Sequence, residues 1–165
     1  RLETQALLTR EGRSLIVSAL DHNQMAELYV VRAELEGLAA SLAANHATVE
    51  EISVLRGMIE KDRELLGDPN AMAQGNRRFH RQLHLASHNM FLVRQLDLVY
   101  RSMALLATTS LAVEGRGEKA LAEHSRIVQA IEDRDGPAAR DALCDHISQA
   151  YEARLSRVAA EDPAF

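Results

Sequence analysis

The chain has 165 residues, enough for one compact domain with a small appendage, and its 47% apolar and 26% charged residues exclude a disordered polymer. A net charge of −5, from 24 acidic and 19 basic side chains, excludes a broad basic surface for nucleic acid. No uncharged apolar run reaches the roughly 18 residues of a membrane span. The single cysteine, Cys144, excludes an intrachain disulfide and fits a reducing compartment such as the cytoplasm.

Aromatics are 4% of the chain and Trp is absent, a mixture that favours helix over strand. Residues 1–20 stand apart. They carry a net +1, from Arg1, Arg10 and Arg13 against Glu3 and Glu11, and lack a sustained helical period. "RLETQALL" predicts a short helical tail, Glu11-Gly12 a hairpin turn, and Ser14 to Val17 a short strand.

The rest reads as helix. The first begins with Asn23 as N-cap and runs to Asn45, with Leu28, Val31, Leu35, Leu38 and Leu42 as one buried stripe. The second opens at "TVEE", where Thr48 and Glu51 have capping-box spacing, and buries Ile52, Leu55, Ile59 and Leu66. Gly67 stops it, and Asp68-Pro69 starts a third helix that turns Met72, Phe79 and Leu83 inward and breaks at "SHN". A fourth spans Met90 to Val113, with Leu92, Leu96, Val99, Met103 and Leu106 on one side. Gly115 and Gly117 form a joint. Leu121, Ile127, Val128 and Ile131 define the fifth helix; Ala139, Leu143, Ile147 and Ala150 define the sixth, from Pro137. The expected fold is all-α, an antiparallel bundle of about six helices.

Histidine placement adds chemistry. In "EHSRIVQAIEDRDGPAARDALCDHI", His124 and His146 each lie eleven residues from Asp135, one on either side. At about 1.5 Å of rise per residue, a hairpin turning at Asp135 brings both level, roughly 15 Å from the turn. Each shares the apolar stripe of its helix. Two buried imidazoles need a partner, either a divalent metal or a structural hydrogen bond or water. In "NRRFHRQLH", Asn76 and His80 are four apart and share a face, so an oxygen and a nitrogen ligand can grip one ion. The candidate ligand set is His80, His124, His146 and Asn76. Three neutral imidazoles suit zinc first, with nickel, copper, iron or manganese as alternatives. His84 continues the spacing and is a rival partner for His80, whereas His22 and His46 sit at helix edges facing solvent.

Three stretches together resemble the FCD ligand-sensing domain of GntR-type bacterial transcription regulators. "ELYVVRAELEGLAASLAA" resembles the opening helix of that family, with Arg32 followed by Leu35-Glu36. "NRRFHRQLHLASHN" is similar to its D-x-x-F-H-x-x-L-x-x-A-S-G-N stretch, and residues 123–147 to its closing hairpin. The resemblance covers roughly residues 22 to 158. It implies a divalent metal bound by His80, His124 and His146, with Asn76 at the position of the family's aspartate, and a small carboxylate effector completing the coordination. Asn76 is a neutral, weaker ligand than a carboxylate, and His88 replaces a small residue at a helix end where left-handed backbone is needed.

Arg32 then stands at the family's arginine and suits a carboxylate, the plainer alternative being a salt bridge with Glu36. Arg101 is a weaker effector-binding candidate, and Tyr100 either hydrogen-bonds a ligand or lines the core. By the same resemblance, residues 1–20 are the end of the recognition helix and the wing of a winged helix-turn-helix whose remainder is missing. Residues 21–165 are the effector-binding and dimerisation domain. The implied protein is a homodimer that contacts DNA through the winged helix and no membrane. The alternative, a metal-dependent hydrolase or lyase using three histidines, lacks a placed general base such as H-E-x-x-H supplies.

Overall fold

In the computed structural model, residues 8–11, 14–17, 20–106 and 109–161 are described. Two short strands come first: β1 (Leu8–Glu11) pairs antiparallel with β2 (Ser14–Val17) in the register Leu8↔Val17 to Glu11↔Ser14. The expected strand at Ser14–Val17 is therefore present. The tail "RLETQALL" falls, up to Leu7, outside the described residues, as do Gly12 and Arg13 of the turn.

Six α-helices follow: α1 (His22–His46), α2 (Val49–Asp62), α3 (Pro69–Ala86), α4 (Met90–Met103), α5 (Arg116–Glu132) and α6 (Gly136–Glu161). The fold is the all-α bundle that the periodicity predicted. The long helices α1 and α6 pack along one another, α5 packs on α6, and α3 bridges α1 and α2. Phe79, Leu55, Leu83, Leu96, Ile127, Ile131 and Leu143 are fully buried at the centre. Each such side chain contributes roughly 1.5–3 kcal/mol on leaving water.

Local chemistry sets the helix ends. Thr48 and Glu51 form the expected capping box, and Asp68 caps α3 with Pro69 in its first turn. His88 ends that segment at φ 54, in the left-handed conformation expected there. Between α5 and α6 the chain reverses through Arg134 at φ 59, and Asp135 N–H donates to the Ala130 carbonyl at 3.0 Å. The Asp135 carboxylate then accepts from Ala138 N–H at 2.9 Å and starts α6.

Four expectations are corrected. The N-cap of α1 is Asp21, not Asn23, because Asp21 and Gln24 satisfy two orphan N–H groups reciprocally in a capping box. The stripe Leu28–Leu42 is not the buried face of α1. Val31 and Leu38 are exposed, whereas Met25, Tyr29, Arg32, Glu36, Ala39, Ala40, Ala43 and Ala44 are buried. The helix turns polar and small residues inward, and small side chains permit close approach: a Cβ on Gly37 would lie 2.8 Å from Cys144 Sγ. Leu66 is partly exposed, since α2 ends at Asp62 and a 3-10 turn carries the chain away. Helix α4 stops at Met103, not Val113. Ser and Thr side chains compete for backbone groups there, and Thr109 caps a separate 3-10 turn over Ser110–Ala112.

Candidate metal and effector site

The buried polar face of α1 meets the histidines of α3, α5 and α6. His80, His124 and His146 are all buried, and each offers a ring nitrogen within 4.8 Å of the others. The His124 and His146 ring centroids are 4.7 Å apart, those of His80 and His146 5.1 Å, and those of His80 and His124 5.4 Å. The hairpin about Asp135 thus brings its two histidines level, and α3 adds the third. Of the expected ligand set, these three converge.

Two carboxylates orient the rings. His80 Nδ1 donates to Glu36 Oε2 in a short hydrogen bond, and His146 Nδ1 donates to Glu123 Oε2 at 2.7 Å. These partners assign the proton of each neutral ring to Nδ1, leaving a lone pair on Nε2. The two Nε2 atoms face each other at 3.1 Å with no proton to share, so the contact is not a satisfied hydrogen bond. Two nitrogens held by one tetrahedral zinc at about 2.0–2.1 Å lie about 3.3 Å apart, close to this spacing. His124 supplies the strongest observation. Its Nδ1 and Nε2 are both buried and without a partner, while its ring stacks on Phe79 at 3.9 Å. Burial lowers the pKa of all three histidines, helped at His124 and His146 by neighbouring imidazoles and Arg116. Neutral rings with carboxylate-held Nδ1 atoms are the donor set a divalent cation requires.

Glu36 is fully buried and sits at a junction. Oε1 accepts from Arg32 Nε at 2.6 Å and Tyr100 Oη–H at 3.1 Å; Oε2 accepts from His80 and from His84 Nε2 at 3.0 Å. Burial raises its pKa, but His80 and Arg32 outweigh that and hold the carboxyl well below its usual range. Glu36, His80 and His84 also lie within mutual ligand reach. The guanidinium already on that carboxylate disfavours a cation there, and His84 serves as a hydrogen-bond partner rather than a rival ligand.

Beside this cluster lies a cavity of about 680 Å³ whose lining includes Arg32, Asn76, Tyr100, Arg116 and His146. Asn76 is half-buried and opens onto the same space as His146, one helical turn before His80. Arg32 makes the salt bridge to Glu36 and also faces the cavity, so both of its readings describe the same side chain. Tyr100 lines the cavity while bridging Arg32 and Glu36. Arg101 has an exposed side chain on α4 and does not line this cavity, whereas its neighbour Tyr100 does. His22 and His46 are exposed, as expected.

Sequence reasoning missed Glu123, Arg116 and the junction role of Glu36. The signal was a carboxylate or guanidinium on a buried stripe: Glu123 directly precedes His124, and Glu36 follows Arg32 by one turn.

The fold and this donor set define a class. The chain belongs to the FCD domain family, whose pattern matches residues 27–149. Among curated relatives, it is 26% identical over 151 residues to the HTH-type transcriptional regulator YdhC of Bacillus subtilis (strain 168), covering 89% of this chain and 67% of that one. It is 30% identical over 139 residues to a protein of Paenarthrobacter nicotinovorans named "Probable D-xylose utilization operon transcriptional repressor", covering 80% of this chain and 58% of that one. The fold superposes on E. coli McbR/YncC with a TM-score of 0.82 at 19% identity, over 94% of this chain and 80% of that one. It matches the metal-free FCD domain of TM0439 with a TM-score of 0.70 at 17% identity, over 87% and 99%. The chain is an FCD domain whose curated relatives are named as transcription regulators and not as enzymes, and the hydrolase or lyase alternative is set aside. Among the described residues, no helix is long and apolar enough to cross a membrane.

Proposed function

We propose that this chain is the effector-sensing and dimerisation part of a cytoplasmic transcription regulator, and that it senses a small carboxylic acid through a bound divalent metal. The reading rests above all on His124, a fully buried imidazole with no partner for either nitrogen, facing two rings whose Nε2 lone pairs are also unclaimed. A buried polar group left unpaired costs about 1–3 kcal/mol, so a fold that keeps one at the focus of two others is built around a ligand. His80, His124 and His146 would hold the ion, with Asn76 as a neutral oxygen donor on the cavity side. When bound, the metal supplies a Lewis-acidic anchor for a carboxylate oxygen, and zinc suits the imidazole set best.

The chain's own groups do the rest. Glu36 and Glu123 fix the ring orientations. Arg32, held by Glu36 and Tyr100, presents a guanidinium to an acid in the cavity. Residues 1–20 are read as the end of a recognition helix and the wing of a DNA-binding domain. Helix α1, which follows that hairpin directly, carries both Arg32 and Glu36. An acid that prefers one placement of α1 shifts the population of two arrangements in a homodimer, and with it the affinity for DNA.

Elemental analysis and calorimetric titration test this. The purified chain is expected to take up one divalent ion, His124→Ala to lose it while keeping its helical circular dichroism, and carboxylic acids to bind only the loaded form. An absence of stoichiometric uptake, or acid binding indifferent to both a chelator and His124→Ala, would overturn the reading.

A further inference from the structure

Among the described residues, the cavity is lined by four arginines, Arg32, Arg77, Arg116 and Arg154, and by no aspartate or glutamate. The functional reading above uses only Arg32, and among the others Arg116 has buried nitrogens without a partner. It opens α5 directly after Gly115, whose φ of 70 turns the chain into the helix. Its side chain is 5% exposed. Nη2 donates to Glu123 Oε2 at 2.7 Å, while Nε and Nη1 are buried without any partner.

A guanidinium has five N–H groups and cannot lose its charge, so unmet donors beside a polar cavity call for an acceptor from outside the chain. The position of Glu123 makes this specific. The carboxylate that anchors Arg116 also accepts from His146 Nδ1, so one carboxylate separates the guanidinium from a metal-facing ring. Arg32 stands in the same relation to His80 through Glu36. The histidine cluster is therefore flanked by two carboxylate-anchored arginines, both opening onto one cavity.

We propose that Arg116 forms a second anion subsite in this cavity, and that the ligands preferred are small acids with two acidic groups. One group is held at the histidine cluster beside Arg32 and the other at Arg116. The inference rests on the metal-and-acid reading above and narrows its ligand class. A monocarboxylic acid leaves the Arg116 donors to water, whereas a diacid supplies a charged acceptor in a water-poor site, where hydrogen bonds to charged groups are strongest.

The test compares acids of equal chain length: succinate against butyrate and adipate against hexanoate, titrated calorimetrically into the metal-loaded full chain. In at least one pair the diacid is expected to bind about tenfold or more tighter, the effect of one charge-assisted contact. Arg116→Gln should bring the diacid to within about threefold of its monoacid, any change in metal content, read separately by elemental analysis, acting on both acids alike, and Arg116→Lys should retain part of the preference. No diacid preference in either pair, or a preference that survives Arg116→Gln, would overturn the proposal. Should the glutamine variant fail to fold, Arg116→Lys carries the test, and a diacid preference undiminished from the wild type would overturn the proposal. Metal-dependent acid binding without a diacid preference would end this inference and leave the metal reading standing. A diacid preference that needs Arg116 but not the metal would do the reverse.

Discussion

The two sides of the histidine cluster are built differently. On the α1–α3 side one carboxylate gathers the polar groups: Glu36 alone receives Arg32, Tyr100, His80 and His84, and His80 turns its Nε2 towards the cluster. On the α5–α6 side Glu123 receives only Arg116 and His146, while His124 and two Arg116 nitrogens lack partners. The first side has no buried polar side-chain atom without a partner among the described residues, and the second has four. Buried polar networks rigidify a fold when complete and cost stability when they are not, so the two sides should differ in what each contributes to stability.

Three measurements on the metal-free protein, all by chemical denaturation, rank the two sides. Glu36→Gln should cost most, about 3–5 kcal/mol, because it leaves the Arg32 charge buried and uncompensated. Glu123→Gln should cost about 2 kcal/mol, since its network has fewer members and borders the cavity; a larger loss than at Glu36 would invert the comparison. His124→Leu should have the smallest effect and the opposite sign, a gain of about 1 kcal/mol, because it replaces an unsatisfied imidazole by an apolar group beside Phe79. The same variant should lose the stabilisation that added divalent metal gives the wild type. A destabilised His124→Leu protein would show that the ring is a structural member after all.

The sequence was most legible where chemistry and periodicity agree. Leu121, Ile127, Val128 and Ile131 locate the inner face of α5, so His124 on the same stripe had to be buried, and the symmetric spacing about Asp135 brought it level with His146. Along α1 the two disagree. Leu28, Val31, Leu35, Leu38 and Leu42 form a regular apolar row, yet the helix buries the row containing Arg32, Glu36 and four alanines. Large apolar residues mark a core face only when nothing polar must be buried, and here the site needs a carboxylate and a guanidinium inside. The end of α4 was missed for another reason. No glycine or proline interrupts residues 104–112, and only the Ser and Thr content signals that backbone groups find other partners there. Glu123 escaped notice because its role depends on which way α5 is rotated, a fact set by α6 and not by its own neighbours.

The two oxygens of Glu36 face different tasks, Oε1 towards the arginine and Oε2 towards two imidazoles. Electron density drawn to one is withdrawn from the other, so under the proposed function a cation held beside His80 and an acid held by Arg32 would be reciprocally coupled. A change that strengthens the first is felt as an altered appetite for the second. Under that proposal, neither affinity could evolve alone while that glutamate stands between them.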